Sequence, residues 1–230
     1  GPHFGVPFFM LRFLPDSPPG QPLRVLCLGA HCDDVEIGAG GTLLALAQER
    51  PIEVEWVILT SDAVRAREAR SSARWFLSQG QVLPASLERI HIHEFRPSFL
   101  PSHFEELKEL FYGIRQRMDP HLVFSHHRGD RHQDHHMVAE LTWNTFRNHA
   151  ILEYEIAKFE GDLGQPNAFV ELPRPLVDAK IDAIRTHYAS QADKTWFDEE
   201  AFRGLMRLRG IECNATSRYA EAFHLSKILL

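Results

Sequence analysis

The chain has 230 residues, 44% of them apolar, with a formal net charge of -6 and an isoelectric point near 6.2. This composition can bury a core and excludes a disordered chain, and the acidic balance offers no basic field to nucleic acid. Cys27, Cys32 and Cys213 form an odd set with no CxxC pair, which excludes a disulfide scaffold or thiolate zinc site and points to a reducing, cytoplasmic setting.

The chain opens Gly1-Pro2, which reads as a protease-cleavage scar. The apolar segment at 7–14 is interrupted by Arg12, falls well short of the ~20 residues of a membrane span, and lacks the small-residue cleavage site of a signal peptide. Residues 15–22 are proline-rich and read as an extended lead-in. Residues 1–22 are therefore set apart from a single domain expected over 23–230.

From there, β-type runs alternate with helical patterns. The pattern predicts a strand at 24–30, a helix at 40–48, a strand at 54–60 and a helix at 64–78. A strand at 89–94, a helix at 104–118, a strand at 122–125 and a helix from about 134 to 146 follow. The first strand is almost wholly apolar (Val25, Leu26, Cys27, Leu28), as a central strand covered on both faces should be. The expected fold is α/β: a Rossmann-like, doubly wound, mostly parallel sheet of order 3-2-1-4-5 with helices on both faces. Beyond 150 the pattern loosens into an irregular C-terminal extension, with strands expected at 154–157, 168–172 and 221–228 and helices at 176–188 and 202–208.

The first strand stops at His31-Cys32-Asp33-Asp34. Imidazole and carboxylate at a strand end are costly to desolvate unless paired or metal-bound. A second segment, His126-His127-Arg128-Gly129-Asp130-Arg131-His132-Gln133-Asp134-His135-His136, follows the fourth strand. In the expected strand order both lie beyond the carboxyl ends of neighbouring strands at the switch point, where ligands bind. His31 and Asp34, with His135 or His136 as third ligand, make a two-histidine, one-carboxylate set with an open position, the pattern of a catalytic zinc site. Asp33 is the adjacent carboxylate to accept a proton from water. Ferrous iron or another divalent transition metal suits the same donors.

Other residues have plainer readings. His126, His127 and His136 read as strand-end or helix-surface residues, and Cys32 as a spacer whose thiol points away from a metal. Asp62 reads as the N-cap of the second helix. Trp75, Trp143 and Trp196 read as core or interface. The run Gly38-Ala39-Gly40-Gly41 serves close packing, since no G-x-G-x-x-G directly follows the strand.

These residues resemble the LmbE-like or PIG-L metal-dependent de-N-acetylases. The family's AHPDDxE motif stands as Ala30-His31-Cys32-Asp33-Asp34-Val35-Glu36, with cysteine in the proline position, and its HxDH motif as His132-Gln133-Asp134-His135. The resemblance runs from about 24 to 230 and includes Arg65-Ala66-Arg67-Glu68 and His187-Tyr188-Ala189-Ser190-Gln191. It implies that His31, Asp34 and His135 bind the metal, that Asp33 is the general base, and that His132 steadies the oxyanion or protonates the leaving amine. It implies further that Asp134 orients a neighbouring histidine and that Arg65 faces the substrate. The implied reaction is removal of the N-acetyl group from an acetamido sugar, a small-molecule partner, or its conjugate. A homo-oligomer is left open. Rival readings are a non-haem iron(II) oxygenase using the same donors and a catalytically silent carbohydrate-binding protein on the same fold.

Overall fold

The computed structural model describes residues 17–227 except Pro19, so the start of the lead-in and the last residue of the expected final strand lie outside the described chain. Its centre is a seven-stranded sheet of order β3-β2-β1-β4-β5-β7-β6. β1 (Leu23–Gly29), β2 (Ile52–Thr60), β3 (Ile90–Phe95), β4 (Leu122–His126) and β5 (Ala150–Tyr154) are parallel; β7 (Ala220–Leu225) runs antiparallel to both β5 and β6 (Ala168–Glu171). The expected order 3-2-1-4-5 is present, and the C-terminal third continues the same sheet.

Alternation along β1 divides the core. Val25 and Cys27 enter one apolar cluster with α1 (Asp34–Glu49), α2 (Ala63–Leu77), α5 (Arg174–His187) and α6 (Glu199–Glu212); Leu26 and Leu28 enter the other with α3 (Phe104–Arg117) and α4 (Gln133–Thr145). Both faces of β1 are thus dry, which explains its unbroken apolar sequence. Among the described residues no helix is long and apolar enough to cross a membrane.

Among the boundaries that depart from expectation, such as α6 reaching both earlier and later than 202–208, two bear on the packing around the site. α1 begins at Asp34 rather than at 40, although three glycines of little helix propensity, Gly38, Gly40 and Gly41, stand in its first turns. Tertiary contacts overrule propensity there. A Cβ on Gly38 would overlap the Tyr154 ring, and one on Gly41 would lie 2.5 Å from Leu172 Cδ1. The buried Glu221 carboxylate accepts from Gly41 N–H (2.8 Å) and Thr42 N–H (2.7 Å), while Lys180 Nζ donates to the Ile37 carbonyl at 2.6 Å. α1 therefore lies on the sheet at glycine distance. β5 occupies Ala150–Tyr154 rather than 154–157, with Glu153 buried against Arg128 and Trp143.

Gly38→Ala should lower stability. Helix propensity alone would gain about 1 kcal/mol, but overpacking costs about 1–3 kcal/mol or more, and the Tyr154 ring is fully buried with its hydroxyl tied to the Leu28 carbonyl at 2.6 Å. A net loss of about 2 kcal/mol, read as a thermal midpoint roughly 4–8 °C lower, is expected; an unchanged or raised midpoint would refute this account of the glycine run.

Candidate metal centre

Parallel pairing of β1 with β4 sets the two segments side by side at the carboxyl edge of the sheet. His31 to Asp34 lead from β1 into α1, and His126 to His132 lead from β4 into α4. Both helices aim their N-termini into the same crevice, a field that favours carboxylates and developing negative charge.

Four histidine rings meet there. His31 Nδ1 lies 3.0 Å from His135 Nε2. Asp34 Oδ2 stands 3.4 Å from that His31 nitrogen, and Asp34 Oδ1 3.5 Å from the His135 nitrogen. The opposite nitrogen of each ring faces a carboxylate: His31 Nε2 with Asp134 Oδ2 at 3.1 Å and His135 Nδ1 with Asp130 Oδ2 at 2.9 Å. Those carboxylates fix the ring protons on the outer nitrogens, so the inner pair present lone pairs to each other. Only a shared cation, a proton or a metal ion, makes that approach favourable. Two nitrogens on a tetrahedral zinc at ~2.0–2.1 Å each lie about 3.3 Å apart, so the donors fit the ion the sequence implies.

His126, which reads as a mere strand-end residue, is a wall of this site. Its ring stacks on His135 with centroids 3.9 Å apart, and its Nε2 stands 3.1 Å from Asp34 Oδ2. That same nitrogen accepts from Ala30 N–H at 3.0 Å. Burial, with His135 beside it, holds its pKa down to about 4, so it is neutral at pH 7. His132 also has one nitrogen committed: Nδ1 accepts from Asp134 N–H at 3.2 Å, capping α4, which leaves the proton of the neutral ring on Nε2. Two overlapping triads of metal-donor atoms result, His31-His132-His135 and Asp34-His126-His135. Of the four rings, His31 and His135 alone point toward each other an inner nitrogen with no backbone donor.

The adjacent carboxylates are driven apart. Burial opposes charge on Asp34, but His135, His126 and His31 outweigh it and hold this carboxyl well below its ordinary range. Asp33 is raised, first by burial and then by Asp34, against the pull of Arg65. Two neighbouring carboxyls with separated proton affinities have separate roles open to them. Burial also disfavours charge on His31, yet Asp34 and Asp134 lift its pKa to about 10: the cluster demands a cation.

Arg65, from the first turn of α2, places a guanidinium nitrogen 3.0 Å from Asp33 Oδ1 and stands farther, at 3.9 Å, from Glu68. Asp33 Oδ2 is buried with no partner. Asp62 caps α2 through Val64 N–H and Arg65 N–H (2.8 and 2.9 Å), which fixes where Arg65 leaves the helix. Cys32 Sγ faces the Thr60 carbonyl at 3.4 Å, and burial pushes its thiol up to about 12. The acidic end of the first motif is structural: Glu36 Oε1 accepts from Ser72 Oγ and lies equally close, 2.6 Å, to the Tyr188 hydroxyl, which also reaches the Cys32 carbonyl. α5 and α2 are thereby pinned to the turn that carries His31 to Asp34. His127 stacks on His224, His136 Nδ1 faces the Arg128 carbonyl, and His93 packs beside Phe95.

Sequence reasoning missed Asp130. It stands two residues before His132, the spacing at which an aspartate side chain bonds its own backbone, and its Oδ1 accepts from His132 N–H at 2.8 Å. It also missed Ser98 and Leu100, whose N–H groups hold the Asp134 carboxylate at 2.6 and 3.1 Å. Ser98 takes a left-handed φ of 69° to do so. No local pattern marks that loop.

Known proteins resemble this chain in sequence and in fold. A family model described as PIG-L, GlcNAc-PI de-N-acetylase, matches residues 26–146, which include both histidine segments. The diacetylchitobiose deacetylase of Thermococcus kodakarensis is 24% identical over 210 residues, covering 81% of this chain and 77% of that one. The structure of N,N'-diacetylchitobiose deacetylase from Pyrococcus horikoshii, complexed with an inhibitor, superposes with a TM-score of 0.67 at 25% identity, covering 88% of this chain and 83% of that one. A 4-carboxy-2-hydroxymuconate hydratase from Pseudomonas putida has the same fold, with a TM-score of 0.69 at 17% identity over 90% of this chain and 98% of its own.

Proposed function

From the premise that this chain belongs to the PIG-L family of de-N-acetylases, we propose that it is a zinc-dependent hydrolase of an acetamido sugar of the N-acetylglucosamine type, or of its conjugate. The observation that carries the reading is the convergence of His31 Nδ1, His135 Nε2 and Asp34 beside the unpartnered Asp33 Oδ2. His31, Asp34 and His135 hold the ion. A bound zinc, or another divalent transition ion, supplies Lewis acidity, lowering the pKa of water toward ~7 and polarising a carbonyl.

The remaining steps belong to side chains. Asp33 accepts the proton of the attacking water at Oδ2, its raised proton affinity suiting a general base better than that of the strongly acidic Asp34. Arg65 holds Asp33 from the other side and presents its remaining donors to substrate hydroxyls. His132, with its proton on Nε2, donates toward the oxyanion that forms at the acetamide carbon. When the carbon–nitrogen bond breaks, the amine gains a proton and acetate leaves, so one water is consumed per amide. Asp134 and Asp130 fix the His31 and His135 rings, and Asp134 adds its own grip on the Ser98 loop.

The relatives named diacetylchitobiose deacetylase support the sugar class. The hydratase on the same fold is a reminder that the fold alone does not choose an amide over another target for activated water. An iron(II) oxygenase loses its main support, because the shared donor set stands here within a deacetylase family. Zinc-loaded protein assayed for free-amine release across a panel of free, nucleotide-linked and lipid-linked N-acetyl sugars is expected to turn over at least one class and release equimolar acetate. Metal-loaded protein that releases no amine from any of them would overturn the reading.

A further inference from the structure

We propose that Lys158, on the segment between β5 and β6, is a positioning residue for His135, acting through the shared carboxylate of Asp130. The proposal rests on the metal-site reading above. Asp130 is buried, and its Oδ2 lies 2.9 Å from both His135 Nδ1 and Lys158 Nζ. Its other oxygen is committed to His132 N–H. The ammonium has three donors and three acceptors: Asp130 Oδ2, Asp162 Oδ1 at 2.6 Å and the Ile156 carbonyl at 3.3 Å.

Asp162 completes the clasp, since its Oδ2 accepts from Arg131 N–H at 2.6 Å. The segment is closed at its base by Glu155, which accepts from Gly164 N–H at 2.9 Å and pairs with Arg209 at 2.7 Å. Lys158 is therefore held from one side by a tied loop and grips, on the other, the oxygen that orients a metal-binding ring. A loop staple alone would need no such sharing. Without Lys158, a buried carboxylate keeps only neutral donors and is free to rotate toward water, and the His135 ring loses its fixed direction. Carboxylates behind metal-binding histidines are worth about 10–100-fold in metal affinity.

Zn2+ affinity, measured by competition with a chelating indicator, should fall on the order of tenfold in Lys158→Met and in Lys158→Gln, and the visible absorption of the Co2+-loaded protein should change with it. Lys158→Arg should restore most of both. Asp130→Asn should weaken binding by itself, and adding Lys158→Met to it should cost less than a further twofold, because both act through one carboxylate. Wild-type affinity and an unchanged Co2+ spectrum in Lys158→Met, or losses that multiply in the double variant, would overturn this inference alone. A wild-type chain that binds neither Zn2+ nor Co2+ would overturn the metal-site reading and this inference with it.

Discussion

Asp33→Asn should retain the metal and lose kcat by about 10²–10⁴-fold, the range general-base catalysis supplies. Asparagine keeps the shape and can still accept from Arg65, which stands 3.0 Å from Asp33 Oδ1, so fold and ligands are spared. What disappears is the capacity to take a proton at the buried oxygen that has no partner. KM should change little, because no ligand or substrate donor is removed, and metal content by elemental analysis should stay at the wild-type level. Full activity in this variant would transfer the base to another group, and loss of metal would show that Asp33 is a ligand.

His135→Ala should abolish metal binding. His135 is the one ring common to both donor triads, and its inner nitrogen lies within 3.5 Å of His31 and Asp34 alike. The consequence reaches stability by mass action: metal at about 1,000 times its Kd stabilises the folded wild type by about 4 kcal/mol, a thermal shift of roughly 8–16 °C for a chain of this size. The variant should show no metal-induced shift. Comparison of His31→Ala with His126→Ala separates the two triads. His31→Ala should lose the shift, whereas His126→Ala, whose ring nitrogen is occupied by Ala30 N–H, should lose stability yet keep a metal-induced shift. The opposite pattern would assign the ion to Asp34, His126 and His135.

Much of the fold follows from periodicity. An apolar β1, alternating helices, and the return of a strand before the second histidine segment require a parallel sheet, and its handedness brings β1 beside β4. Boundaries were less legible where a tertiary partner reverses a local preference. The helix expected from 40 starts at Asp34, where the Tyr154 ring and the Glu221 carboxylate are set against its glycine run, and the strand expected at 154–157 lies at Ala150–Tyr154, with Glu153 covered by Arg128 and Trp143.

The site divides in the same way. His31, Asp33, Asp34, His132, Asp134 and His135 stand at spacings that carry their chemistry in the sequence itself, because metal donors on one turn or one helix start must be close along the chain. The outer partners obey no such constraint. His126 belongs to the site because β4 runs beside β1, Asp130 because one oxygen takes the His132 N–H while the other meets the His135 ring, and Lys158 because a distant segment folds back onto Asp130. The sequence alone supplied the candidate donors, since residue type and local spacing suffice to nominate them. Only the tertiary structure decided which nitrogen of each ring is free, because that depends on which hydrogen-bond partner the fold brings to the other.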